Sequence, residues 1–150
     1  MKYYGICPAS CGEFVQGVMD RAEYLCSYAV DLYSTAEAEE KLNNINLGPL
    51  KSRKAIEAVF KKFNIPVEES KNISLKIRSK IPVGKGMASS TADIGATIGA
   101  TLGLIKKELS SEEIAKLAST IEPTDSIYIE KNSIFNPLNG EVIRYLGNVK

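Results

Sequence analysis

The stretch from Pro82 to Ile105 constrains the fold more than any other part of the chain. It opens with a glycine-bearing loop, Pro82-Val83-Gly84-Lys85-Gly86-Met87-Ala88-Ser89-Ser90, and runs directly into a segment of small residues. Gly95, Gly99 and Gly103 recur at four-residue spacing and therefore share one stripe of a helix. A stripe without side chains lets a backbone approach a sheet or a second helix closely. Between Ala88 and Ile105 the only charge is Asp93, yet the abundance of Ala, Ser and Thr leaves the segment far less hydrophobic than a membrane span. The expected element is a tightly packed central helix in a protein without membrane contact.

The flanking sequence supplies a sheet for that helix to cover. Tyr3 to Cys7, Phe14 to Val18, Glu23 to Tyr28 and Asp31 to Ala38 read as short strands separated by Gly, Pro and Asp. Lys51 to Asn64 has Ile56, Val59, Phe60 and Phe63 on one helical face with lysines opposite, and Pro66 closes it. Ile73, Leu75 and Ile77 alternate with polar residues, as in a half-buried strand. Ser110 and Glu113 form a capping-box pattern that opens another helix, which Pro123 ends. Ser126 to Ile129 and Ile134 to Asn136 are strand candidates, and Asn139-Gly140 before Glu141 to Leu146 signals a hairpin. Strands first, then strands alternating with helices, predict an α+β domain over 1–150: one sheet with helices on one side.

Composition removes several chemistries. The 150 residues carry 19 basic and 18 acidic side chains with no histidine, which excludes His-dependent triads and His-ligated metals. The near-neutral, scattered charge argues against a nucleic-acid partner held through phosphates. Cys7, Cys11 and Cys26 are too few for a disulfide framework or a closed zinc site. Free, mostly buried thiols fit a reducing cytoplasm, and Met1 to Ile6 lacks the pattern of a signal peptide.

Three motifs have chemical potential. In the Pro82–Ser90 loop, Gly84 and Gly86 permit close backbone approach, Lys85 offers a cation, and Ser89 and Ser90 offer hydroxyls at a helix start. It is neither a Walker loop nor a dinucleotide fingerprint. Phosphate binding and a plain turn with a serine cap both fit the loop alone. In Glu122-Pro123-Thr124-Asp125 the two carboxylates are placed to divide the labour, one on magnesium and one at a hydroxyl, or else to be a solvated turn. Cys7-Pro8-Ala9-Ser10-Cys11-Gly12-Glu13 reads as a strand leading into a tight turn.

Together these strings resemble the GHMP kinase superfamily. Pro8 to Glu13 looks like its first motif, and Pro82, Gly86, Met87, Ser89 and Ser90 match the second, Pro-x-x-x-Gly-Leu/Met-x-Ser-Ser. The wording is closest to the L-threonine kinases of cobamide synthesis, through Cys7–Glu13, Asp31-Leu32-Tyr33-Ser34-Thr35, Gly84–Asp93 and Glu122–Ser126. The resemblance implies an amino-terminal kinase domain with a mixed sheet, helices on one face and a left-handed βαβ unit, the two-layer fold also seen in ribosomal proteins. It implies that Pro82, Gly84, Lys85, Gly86, Met87, Ala88, Ser89 and Ser90 bind ATP, with Lys85 also assisting transfer. Ser89, Ser90 and Glu122 would hold magnesium, Asp125 would serve the acceptor hydroxyl as base or orienter, and Glu13 and Tyr33 would line the acceptor side. Family members continue into a carboxy-terminal domain, which is expected to be absent from these 150 residues.

The function expected is γ-phosphoryl transfer from ATP to the hydroxyl of L-threonine. Homoserine or another small alcohol is the alternative acceptor, and a non-catalytic interaction module with the same fold, pairing through an exposed interdomain face as a homodimer, is the alternative class.

Overall fold

The computed structural model describes residues 1–147; residues 148–150 of the expected domain lie outside the described residues. Two long strands dominate, β1 (Lys2–Met19) and β2 (Ala22–Glu40), followed by α1 (Leu50–Lys62), β3 (Ile73–Ser79), α2 (Ser89–Ile105), α3 (Ser111–Ser119), β4 (Ser133–Asn136) and β5 (Glu141–Tyr145). The four short strands expected before residue 40 are thus two. The Pro and Gly punctuation is absorbed as irregularities in one ladder, with register shifts at Pro8/Ala9, Ser10/Glu13 and Glu13/Val15. The true reversal is the two-residue turn Asp20-Arg21, where both residues have positive φ, as a tight hairpin requires. Ser126–Tyr128 is a 3-10 turn, correcting the strand expected there. Its β-branched and aromatic side chains are buried against the helices and β2 instead of joining a ladder.

β2 is the centre of the sheet. β1 lies along one edge, while β3 and β4 share the other, pairing with Ser34–Glu40 and with Leu25 respectively. Every described ladder is antiparallel, which replaces the mixed sheet expected. β3 and β4 share a direction only because each opposes β2. The Pro137–Gly140 turn joins β4 to β5 in the hairpin that Asn139-Gly140 signals.

The helices cover one face, as the sequence implies. Gly5, Cys7 and Ala9 of β1 alternate inward with Ala36 and Ala38 of β2 and Leu75 of β3, and meet Ala92, Ala96 and Ala100 of α2. The approach is close enough that a Cβ on Gly5 would lie 1.9 Å from the Ala96 carbonyl oxygen. On the opposite face Tyr4, Ile6 and Tyr33 are exposed. Thr97 and Thr101, buried on α2, donate their hydroxyls to carbonyls one turn back, so neither is left unpaired.

A second apolar cluster joins α1, α2 and α3 through Ala55, Val59, Ile94, Ile98, Leu102 and Ala118. Fully burying side chains such as Val59, Ile94 and Ile98 contributes about 1.5–3 kcal/mol each. Lys107, just past α2, sits 6.0 Å from the ring of Phe63, just past α1. The ends of the two helices therefore lie side by side. Arg53 fixes α1 by donating to the carbonyls of Leu47, Ser70 and Ile73. The capping box of Ser110 and Glu113 forms as expected, but α3 stops at Ser119, short of Pro123. No described helix is long and apolar enough to cross a membrane.

Candidate active site

The loop before α2 stands open past the end of β3, beside the middle of β1. Pro82 to Gly86 are exposed and Met87 to Ser90 half-buried. Gly84 and Gly86 have φ of 72° and 70°, the left-handed region that glycine adopts without strain, and open space surrounds the position of each missing Cβ. The loop is anchored where it meets the core: Met87 packs on it, and its carbonyl accepts from the Ser10 N–H of β1 at 3.1 Å. The first and second motifs are thereby joined.

The turn-with-serine-cap alternative is not what forms. The N-cap of α2 is Ala88, itself left-handed at φ 57°, and it makes no side-chain capping bond. A methyl group cannot accept from the first-turn N–H groups. The start of α2 accordingly lacks the side-chain acceptor that most helices recruit, which is the condition for holding an anion. Gly86→Val should therefore leave the fold intact, since its Cβ meets nothing. It should weaken nucleotide binding by tenfold or more, by disfavouring the loop's positive φ and crowding a phosphate. Calorimetry with ATP checks this, and unchanged affinity would reduce the loop to a connection.

Asp125 is equally far from a solvated turn. It precedes the 3-10 turn and caps nothing there; instead its carboxylate accepts the hydroxyl hydrogen of Ser27 on β2. The Ser126 hydroxyl accepts from the Ser27 N–H at 2.9 Å, which locks the turn onto the strand. Ser27 is the cross-strand partner of Glu13, so the hairpin register brings Glu13 beside Asp125. Burial raises the Asp125 carboxyl above its ordinary 3.8; the Ser27 bond opposes the rise and the Glu13 charge adds to it. A carboxyl shifted this way adds stability that is complete below pH 3.8 and lost as pH rises through the folded-state value. Asp125→Asn should thus melt higher than the parent at pH 7, with the difference gone at pH 3. Melting scans at the two pH values test this; a lower melting point at pH 7 would mean that the Ser27 bond outweighs burial.

Between the loop and Asp125 lies Tyr128, whose hydroxyl donates to the Thr91 carbonyl of α2 at 2.6 Å. Burial, then the Cys7 thiol and more weakly Glu122 and Asp125, hold this phenol well above the usual tyrosine range. Both acidic residues of the Glu122–Asp125 motif therefore lie near the beginning of α2. Glu122 is also ion-paired with Lys51 of α1. Asp93, one turn into α2, accepts the Ser34 hydroxyl hydrogen at 2.5 Å, and its half-buried carboxyl is raised by burial despite that bond. Beside it the Cys7 thiol is pushed up to about 12 by burial and by Asp93, an inert form for a thiol. Cys7 and Cys26 are buried free thiols and Cys11 an exposed one.

The structure sets Pro82, Gly84, Lys85, Gly86, Met87, Ala88, Ser89, Ser90, Glu122, Asp125 and Glu13 beside the middle of the β1–β2 hairpin, past the end of β3. It does not bring Tyr33 to them. Tyr33 lines a separate groove with Asp31, Thr35, Arg78 and Lys80, on the face turned from the helices. Ser27, Tyr128 and Lys51 are additions that no local pattern marks. Ser27 follows only from the hairpin register, and Lys51 only from the way α1 and α3 pack.

The chain has relatives among known proteins. Residues 51–129 match the family model described as the GHMP kinases N terminal domain. The chain belongs to the GHMP kinase family. It is 44% identical over 133 residues to the L-threonine kinase of Salmonella typhimurium, covering 89% of this chain and 44% of that one. It is 38% identical over 133 residues to the L-threonine kinase of Citrobacter freundii, covering 46% of that protein. The chain thus spans less than half the length of these relatives. A crystal structure of a mevalonate kinase superposes with a TM-score of 0.70 at 28% identity, covering 95% of this chain and 55% of the other.

Proposed function

We propose that this chain forms the nucleotide-binding part of a kinase that transfers the γ-phosphoryl group of ATP to the hydroxyl of L-threonine, with a second domain closing the site. The observation that carries this reading is the convergence, beside the middle of the β1–β2 hairpin, of an uncapped helix start with a desolvated carboxylate held by β2. The likeness to L-threonine kinases over most of the chain favours threonine over homoserine as acceptor.

The loop N–H groups and Lys85 bind and orient the phosphates. Asp125 accepts the hydrogen bond, and then the proton, of the acceptor hydroxyl as its oxygen attacks the γ-phosphorus. Its raised pKa suits it to that proton better than an ordinary aspartate. Glu13 lies on the same side to orient the acceptor. Catalysis is positioning and charge neutralisation, without a covalent enzyme intermediate.

Magnesium fits this arrangement as a companion of the nucleotide. Ser89 and Ser90 sit at the phosphate end with Glu122 nearby, all hard oxygen donors. Among the described residues no cluster of three or more Cys, Asp or Glu side chains is poised for a metal, so phosphate oxygens would complete the set. When bound, the metal neutralises phosphate charge.

We further propose that the activity is cytoplasmic, as free, mostly buried thiols suggest, and that it serves cobamide synthesis, as the resemblance of its motifs implies. The exposed apolar ribbon at Phe14, Val15, Val18 and Met19 supports association with a second domain or a second copy. ADP release measured across L-threonine, homoserine and mevalonate, on the natural protein that contains this chain, tests the acceptor. Threonine should be preferred by at least about tenfold; a preference for another alcohol would reassign the acceptor, and no release with any would remove the kinase reading.

A further inference from the structure

Ser27 departs from the regular pattern of its strand. Its cross-strand partner is Glu13, and the register slips on both sides of that pair, between Ser10 and Glu13 and again between Glu13 and Val15. At each slip β1 spends one more residue than β2, so bulges flank a single rung. A regular strand sends successive side chains to opposite faces, yet Leu25, Cys26 and Ser27 are buried in succession. Bulges re-aim side chains, and the side chain at this rung is the Ser27 hydroxyl.

Ser27 grips two successive residues of the neighbouring turn with two different groups. Its N–H donates to the Ser126 hydroxyl at 2.9 Å, and its own hydroxyl donates to Oδ1 of Asp125. The backbone bond docks the turn on β2 whatever side chain stands at position 27. What the hydroxyl adds is the orientation of the carboxylate.

We propose that Ser27 is a positioning residue for phosphoryl transfer, holding Oδ1 of Asp125 so that Oδ2 meets the acceptor hydroxyl. This rests on the kinase reading above. In the transfer the acceptor oxygen bonds to the γ-phosphorus, the bond from that phosphorus to the ADP oxygen breaks, and the acceptor's proton passes to Oδ2. The Ser27 hydrogen stays where it is. A carboxylate released from Ser27 turns about its Cβ–Cγ bond, and misplacement on the ångström scale costs up to about a hundredfold in rate. Because Glu13 is paired with Ser27, one rung of the hairpin sets both acidic groups that address the acceptor.

Steady-state kinetics on the natural protein that contains this chain test the role. Ser27→Ala should lower kcat for L-threonine by about tenfold to a hundredfold, with KM for ATP within about twofold of the parent. In an Asp125→Asn background the same substitution should change kcat by less than about twofold, because no proton acceptor is left to orient. A residue that only supports the fold would add its loss to that of Asp125→Asn. Ser27→Cys, of similar size but a weak donor, should lower kcat in the same way and replaces Ser27→Ala if that variant does not fold. Unchanged kcat, a change confined to KM, or additive losses in the double variant would overturn the role of Ser27 while leaving the kinase reading intact. Failure of the unsubstituted protein to release ADP with any acceptor would overturn both.

Discussion

Asp125→Asn is expected to lower turnover of L-threonine in the natural protein by about 10²–10⁴, with ATP affinity unchanged. The asparagine still accepts from Ser27, so the turn stays on β2 and the acceptor side keeps its shape. Only the capacity to take a proton is lost. The same variant is expected to be more stable at pH 7, since a carboxylate that burial discourages from ionising has been replaced by a neutral amide. A variant that is both firmer and slower is the signature of a group kept for chemistry at the expense of stability. Steady-state kinetics with separate KM values for ATP and threonine check the outcome. A mild rise in the threonine KM alone would make Asp125 an orienter and not a base.

The second large effect is expected far from any chemistry, at Gly5. A Cβ there would meet the Ala96 oxygen at 1.9 Å and the Ala100 nitrogen at 2.5 Å, both rigid backbone atoms. The neighbour cannot swing aside; α2 must lift from β1. Gly5→Val should therefore cost about 3 kcal/mol or more, at the upper end for overpacking. Because α2 leads back into the phosphate loop, any folded remainder should also bind nucleotide more weakly. Denaturant unfolding and calorimetry measure the two losses. Stability within 1 kcal/mol of the parent would mean that the strand and helix are not in the contact described.

The same contact shows what was legible in the sequence. Gly95, Gly99 and Gly103 announce a closely packed helix, and β1 lies along the stripe: Gly99 meets the Gly5 backbone, while the Cys7 and Tyr3 side chains lie over Gly95 and Gly103. The strand glycine that completes the approach, Gly5, carries no such mark. Periodicity locates α1, and the capping box of Ser110 and Glu113 locates α3, because both are local patterns. The first strands are misjudged because a bulge and a turn use the same residues: Pro8 and Gly12 bend one ladder, while Asp20-Arg21, without glycine, makes the reversal. Ser126–Ile129 has strand composition but spends its apolar side chains on the core.

The site divides along the same line. The phosphate loop is contiguous, and its motif can be read directly. What holds Asp125, and what pairs with Glu122, depends on residues about seventy to a hundred positions away: Ser27 across the hairpin and Lys51 on another helix. Tyr33 fails for the complementary reason. Strand alternation sends it to the face opposite Ser34, away from the loop, although the two are adjacent in one motif.

The central claim is that the loop and the start of α2 bind the phosphates of ATP. Amide chemical-shift mapping of the isotope-labelled chain, titrated with ATP and magnesium, tests it at residue resolution. The largest changes should fall on Gly84, Gly86, Ala88, Ser89 and Ser90. Saturating shifts confined to another surface, or no shifts at millimolar ATP, would contradict it.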